Sequence, residues 1–238
     1  METAVQLQTD RAGLMTDVHA ALDRQYAAPV IHQADRLGPL SQLVYAIVAE
    51  QVAVERADRA FRTLTAAHWA WTEVRDASQR SIHKLIFEVD PAGVKASALQ
   101  SVLRTISDWS GWRRPSLEFL AEYATDRAMN WLVDLEGVTA PIAAETLLLS
   151  SMRRSVLPVD SAHQRIAERV GLVAPGLRAE YAQEEVSRLV PDDWRAADYE
   201  RHYHLMRAHA VKRCLPRSPR CSSCPLIRMC AWVRVSRR

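Results

Sequence analysis

No cysteine precedes Cys214 in this chain of 238 residues, glycine is scarce at 7, and no acidic residue follows Lys212. Sustained alternation of apolar and polar residues is also missing. Together with so little glycine, this argues against an all-β fold. The start, METAVQLQTDRAGLM, has no basic run leading into an apolar one, so no signal peptide is expected. No apolar segment is long enough to cross a bilayer. A membrane location is therefore not expected, and a cytoplasmic one is. There is no fixed-period repeat and no low-complexity linker. What remains is rich in alanine, leucine, arginine and glutamate, which favour helices. With 48% apolar and 25% charged residues, the chain reads as an all-α globular protein with one large or two small domains.

The net charge of +3 says little, but its distribution says more. Lys212, Arg213, Arg217, Arg220, Arg228, Arg234, Arg237 and Arg238 crowd the C-terminus. Such a block attracts polyanions through phosphate contacts and counterion release. It also fits a solubilising tail. All four cysteines, Cys214, Cys221, Cys224 and Cys230, lie in the same segment, CLPRSPRCSSCPLIRMC. Thiols stay reduced in a cytoplasm, so a disulfide knot is not expected. Four thiols with gaps of six, two and five residues can converge on one metal centre, and Pro216, Pro219 and Pro225 stiffen the loops between them. Zinc and an iron–sulfur cluster both accept four thiolates. Zinc sites commonly use two Cys-x-x-Cys clips, and one is present here.

Helical periodicity predicts a helix near Leu14–Tyr26 and a long one from Pro39 to about Thr65, on the stripe Leu43, Ile47 and Val54. Further helices are expected over Ser78–Val89, ended by Asp90-Pro91, and over Ala98–Trp109, stopped by Ser110-Gly111. Leu117–Tyr123 and Thr125–Leu132 read as short helices, with Thr125 as a cap for the second. Next comes Leu132-Val-Asp-Leu-Glu-Gly137-Val-Thr-Ala-Pro141-Ile-Ala-Ala-Glu-Thr-Leu147. Here a helix ends, a glycine turns the chain, and a new helix begins with Pro141 in its first turn. Ala143 and Ala144 allow close helix packing. Backbone N–H groups at such a turn can hold a phosphate, and the same sequence also fits an ordinary helical hairpin. Asp160 precedes a helix over Ser161–Val170, where the dipole suits an anion. Asp160 or Ser161 can cap that helix, and Ser161 with Gln164 matches a capping box.

The cysteine pattern, with Pro225 after the third cysteine, resembles the iron–sulfur loop of the endonuclease III family of helix–hairpin–helix DNA glycosylases. The hairpin is similar to that family's Leu-Pro-Gly-Val-Gly-x-Lys-Thr-Ala. Leu157-Pro-Val-Asp160-Ser-Ala-His163-Gln-Arg165-Ile is close to its Val-Asp-Thr-His-x-x-Arg. The match spans roughly residues 40–232. It implies a bilobal all-α fold, with a helical barrel domain over 36–150 that contains the helix–hairpin–helix at about 132–149. Residues 1–35 and 151–238 would form an iron–sulfur domain, with DNA across the cleft. It implies a [4Fe–4S] cluster on the four cysteines, zinc being the alternative, and duplex DNA carrying a lesion or mismatch as partner. A monomer associated with the nucleoid is expected.

By the same resemblance, Asp160 is the catalytic carboxylate, stabilising positive charge on the sugar and helping activate water. The lysine that gives family members Schiff-base lyase chemistry aligns with Pro141, and no residue from Thr139 to Thr146 is a lysine. A lyase lysine supplied from elsewhere in the chain, for example Lys84 or Lys95, is a third option. Hydrolytic base release without strand cleavage is the expectation, and an inactive paralogue that binds damaged or structured DNA is the rival. The hairpin positions Gly137, Val138 and Thr139 are implied DNA contacts, although Thr139 stands where a second glycine is usual. Gln51 matches the glutamine that fills the gap left by an everted base, and Glu50 departs from the small residue expected beside it. Lys212, Arg213, Arg217 and Arg220 would face DNA. Trp69, Trp71, Trp109, Trp112 and Trp131 could stack on a base, but their helical spacing places most of them in the core. Trp109 and Trp112, flanking Gly111, are open to a surface role. His202, His204 and His209 suggest metal ligands, but with four cysteines nearby they read as helix-surface or packing residues, and Asp192 and Asp193 as helix caps.

Overall fold

The computed structural model describes residues 2–29, 32–111 and 114–236, which leaves Trp112, Arg237 and Arg238 outside the described residues. Twelve α-helices are found there, with short 3₁₀ turns and no strand. They are α1 (Glu2–Gln25), α2 (Pro39–Ala49), α3 (Val54–Ala67), α4 (Trp71–Asp76), α5 (Gln79–Leu85) and α6 (Ala92–Trp109). The chain continues through α7 (Thr125–Val133), α8 (Ala140–Leu149), α9 (Ser161–Val170), α10 (Ala179–Ser187), α11 (Ala196–Lys212) and α12 (Ala231–Ser236). None is long and apolar enough to cross a membrane among the described residues. The helices fall into two compact units.

The first unit is continuous, His32–Arg154. Its centre is α2, whose side chains Leu43, Val44, Ile47 and Val48 are all buried. α8 lies against it. Ala143 and Ala144 are fully buried there, and residues this small let two helix backbones approach closely. The stripe expected to run unbroken to Thr65 is two helices. The chain leaves the helix at Glu50 (ψ 121°), and Gln51 turns it left-handed at φ 56°. α6 packs on α4, α5 and α2. It begins two turns before the expected Ala98, because Ala92, Lys95 and Ala96 are buried too. Leu117–Tyr123 forms only a 3₁₀ turn, and Ala124, not Thr125, precedes α7 as its cap residue.

The second unit joins Met1–Ile31 to Ser155–Arg238. α11 packs on α1 and α9, and α10 and α12 flank α9. Its core holds Leu22, Ile166, Val186, Tyr203 and Leu205. A row of histidines runs through it. His202 is fully buried, its Nδ1 lies 3.2 Å from His19 Nδ1, and its ring sits beside those of His163 and Trp194. The packing role expected for His202 and His209 holds, since both are buried. Asp192 and Asp193 do not cap α11. Arg195 is the cap residue, and Asp198 closes a capping box onto its backbone N–H.

The tryptophans depart from the expectation of a mostly core location. Trp69 is 95% exposed and Trp109 59%, while Trp71 and Trp131 are half-buried. Trp71 donates to the Ser41 hydroxyl at 3.1 Å. Trp109 and Trp131 belong to a partly open cluster with Phe119. Helical spacing registers a face, but a ring at a helix end can follow that spacing and still project into water.

Candidate active site and thiol pocket

Asp160 is the N-cap of α9. Its φ and ψ are extended, and its Oδ1 accepts the His163 backbone N–H at 2.7 Å. The capping box expected between Ser161 and Gln164 does not form. Gln164 instead donates to Glu168 and to the Leu177 carbonyl. The approach to Asp160 is held firmly. Leu157, Pro158 and Val159 are buried. The Gln183 amide brackets them, donating to the Leu157 carbonyl at 2.6 Å and accepting from the Val159 N–H at 3.0 Å. Asp160 therefore stands at a fixed helix start with one oxygen used for the cap.

The other end of α9 grips the cysteine segment. Arg165 donates to the Cys214 carbonyl at 3.1 Å. Arg169 donates to Cys214 Sγ at 3.3 Å and to the carbonyls of Leu215 and Pro216, each at 2.7 Å. α9 ends on Gly171, left-handed at φ 98°, where an added Cβ would come 3.2 Å from Ala231 of α12. One ten-residue helix thus carries the carboxylate at its start and the clamp on the cysteines at its end.

All four cysteines are free thiols lining one pocket, with Ile166, Val170, His209 and Leu226 among its walls. Cys224 Sγ is 3.7 Å from His209 Nε2, and the other nitrogen of that ring, Nδ1, meets the Tyr26 hydroxyl at 3.0 Å. Cys230 Sγ donates to the Arg169 carbonyl at 3.2 Å. Burial pushes the Cys224 and Cys230 thiols up from their usual range, and the neighbouring thiols add to this. Among the described residues, no three His, Cys, Asp or Glu side chains are gathered as ligands of one metal ion. A single zinc needs its sulfurs within about 4 Å of one another, given a Zn–S bond of ~2.3 Å.

Of the basic residues near these cysteines, Lys212, Arg217 and Arg220 are exposed, while Arg213 is partly buried on the pocket wall. The Arg213 carbonyl takes the N–H groups of both Leu215 and Arg220, which folds the first cysteine loop back on itself. The Lys212 ammonium lies 5.4 Å from the centre of the Tyr26 ring.

In the continuous unit, the hairpin runs from α7 to α8. Val138 N–H donates to the Leu135 carbonyl at 3.0 Å, and Gly137 sits at φ 85°. A Cβ on Gly137 would fall 2.7 Å from that of Ala98, so the glycine is needed both for its backbone and for its space. Thr139 is exposed and is the cap residue of α8, and Pro141 lies in the first turn. Val138 is buried at 6% exposure. With its side chain buried and its N–H bound to Leu135, Val138 holds the turn in shape, and the donors left to a ligand are those of its neighbours. Thr139 Oγ1 donates to Glu50 Oε1 at 3.4 Å, which brings the hairpin beside the turn that exposes Gln51.

The chain's lysines are Lys84, Lys95 and Lys212. Lys84 is exposed on α5. Lys95 is 5% exposed, with its ammonium bound to the carbonyls of Val48 and Glu50. Sequence reading missed the duties of Lys95, Gln183 and Arg169, because each acts on backbone groups far away in the chain. Arg165 was visible within the Asp160 motif, although not the carbonyl it binds.

The chain has the all-α fold of the endonuclease III type of DNA glycosylase. The chain is similar in structure to an endonuclease III trapped as a covalent intermediate with DNA (TM-score 0.70, 15% identity, covering 100% of this chain and 99% of that one). It is equally similar to a thermostable thymine-DNA glycosylase (TM-score 0.71, 16% identity, 98% and 99% covered). A 3-methyladenine DNA glycosylase from H. pylori bound to 1,N6-ethenoadenine gives TM-score 0.64 at 14% identity, with 87% and 99% covered. No protein-family model and no curated protein matches the sequence.

Proposed function

We propose that the protein is a monofunctional DNA glycosylase of base-excision repair, which hydrolyses the N-glycosidic bond of a damaged or mismatched base. The observation that carries this is Asp160, held at the start of α9 by a clamped approach segment, within a fold shared with proteins named as DNA glycosylases. Cleavage of the bond leaves the sugar oxocarbenium-like. A fixed carboxylate stabilises that charge and orients water for attack, while the target base is turned out of the stack. Gln51 would fill the space the base leaves. Gly137 and Thr139 would approach a phosphate through backbone N–H groups, with Val138 holding the turn between them through its N–H to Leu135, and Lys212, Arg213, Arg217 and Arg220 would contact the backbone as cations.

The four cysteines fit a [4Fe–4S] core, with zinc as the poorer alternative, since they surround one pocket without forming a tight single-ion set. Such a core supplies rigidity and charge to the segment when bound. Loading would displace the protons of the buried Cys224 and Cys230 thiols, and the Arg169 guanidinium suits a Cys214 thiolate.

A Schiff-base lyase route has no nucleophile at the hairpin. Pro141 offers no amine, Lys95 spends its ammonium on two carbonyls, and Lys84 lies on α5. A binding module that has lost catalysis is the second reading, favoured by the same Pro141 and by Thr139.

The decisive experiment is base release from duplexes carrying uracil, oxidised pyrimidines, alkylated purines or G·T mismatches. One lesion should be released by the wild type. Asp160→Asn should lower that rate about 100-fold or more with binding kept, because asparagine is an equally good helix cap. Borohydride should trap no adduct on abasic DNA. Selective binding without release of any lesion would establish the binding module instead, and iron and sulfide analysis of anaerobically purified protein tests the core.

A further inference from the structure

We propose that Lys95 is a positioning residue for Gln51, terminating α2 from the side so that the turn exposing the glutamine keeps a single conformation. This rests on the reading of Gln51 as the residue that replaces an everted base. The last carbonyls of a helix have no partner within it. A glycine usually ends the helix and lets the chain fold back over them. Here the sequence after Ala49 is Glu50-Gln51-Val52-Ala53, without a glycine. Gln51 nevertheless takes the left-handed conformation at φ 56°, which disfavours a residue with a side chain.

The carbonyls of this turn are satisfied in an alternating way. Lys95 Nζ donates to Val48 O at 2.8 Å and to Glu50 O at 2.6 Å. Between them, Ala49 O accepts the Val52 N–H at 3.1 Å. One buried ammonium therefore stands in for the missing glycine motif. Burial pulls Lys95 down to about 8, with Glu50 and Asp90 opposing the shift. On the same helix, one turn further, Ala98 abuts Gly137 of the hairpin. α6 thus sets both the Gln51 turn and the hairpin, and the Thr139–Glu50 hydrogen bond joins the two. The spatial relation between the base-replacing side chain and the phosphate-facing turn is fixed by Lys95 and its neighbour.

The test uses the full-length protein with Lys95→Met, Lys95→Arg, Gln51→Ala and the double variant Lys95→Met/Gln51→Ala. Base opening is read by 2-aminopurine fluorescence in a lesion duplex, duplex affinity by titration, and the turn itself by amide hydrogen exchange at Val52. Lys95→Met should cut base opening about tenfold while duplex affinity moves less than about threefold. It should raise Val52 exchange about tenfold. Gln51→Ala should add little in the Lys95→Met background, and Lys95→Arg, whose guanidinium can donate to both carbonyls, should restore most of the loss. Additive single and double variants, or unchanged Val52 exchange in Lys95→Met, overturn the proposal. If Lys95→Met does not fold, Lys95→Arg and Gln51→Ala carry the test. A Lys95→Arg protein with normal Val52 exchange but no Gln51-dependent base opening refutes positioning. Failure of the wild type to open any duplex refutes the role of Gln51, and the exchange experiment still judges the lysine.

Discussion

Gly137 meets two independent demands. Its φ of 85° disfavours any side chain, and the space its Cβ would need is already held by Ala98, 2.7 Å away. Gly137→Ala should therefore cost about 1–3 kcal/mol, with a fall in melting temperature of roughly 3–10 °C by calorimetry. A change within 1 °C would mean that α6 yields easily. Asp160 shows how far one residue can be read from sequence. Its duty as a cap follows from the residues that come after it and is present as a 2.7 Å hydrogen bond, whereas its duty as a catalytic carboxylate comes from the family resemblance. The identity of the capping residue was the ambiguous part. Asp160 and Ser161 both qualify locally, and the clamped approach from Leu157 to Val159 decides between them. That clamp comes from Gln183, a residue with no local pattern to betray it.

Among the elements, α9 was legible to the residue, because its start and its terminal Gly171 are local signals. The break between α2 and α3 was not. Val54 continues the apolar stripe of α2, so periodicity runs through a bend whose carbonyls are held by the distant Lys95. The short α4 escaped for a different reason, since its six residues hold too few turns for a period to accumulate. The segment after α11 tests the charge argument. Arg217 and Arg220 are exposed, and neither takes part in a salt bridge among the described residues. Replacing either with alanine should weaken duplex binding alike for all sequences, and should reduce the slope of log affinity against log salt by about 1. An unchanged slope in fluorescence-anisotropy titrations would remove that residue from the DNA-contacting set.

At the scale of the whole molecule, stability should depend on pH through buried histidines. Burial lowers His163 to about 4, with the Asp160 charge opposing it. It holds His202 well below its ordinary range, and the neighbouring His163 and His19 add to that. The unfolded chain takes up these protons near 6.5, whereas the folded chain does not. Stability contributed by the neutral rings is thus complete above about pH 6.5 and lost as pH falls from there towards 4. The limit is about 1.4 kcal/mol per pH unit for each ring. Urea midpoints should drop steadily between pH 7 and 5, and a flat profile would mean that the rings find solvent. The all-α class could be read from composition, whereas the roles given to the thiols, Asp160 and the hairpin come from a resemblance to a family. The tryptophans could not, because exposure is settled by which neighbours arrive, and the Trp69 side chain stays open to solvent.

Pro141 has one last consequence. With a ring where an amine would be needed, the proposed reaction ends at a sugar stripped of its base on an unbroken strand. That product carries a masked aldehyde and is prone to spontaneous scission, so a separate phosphodiester-cleaving activity has to take it over promptly. Cells relying on this protein without such a successor should accumulate alkali-labile lesions rather than nicks.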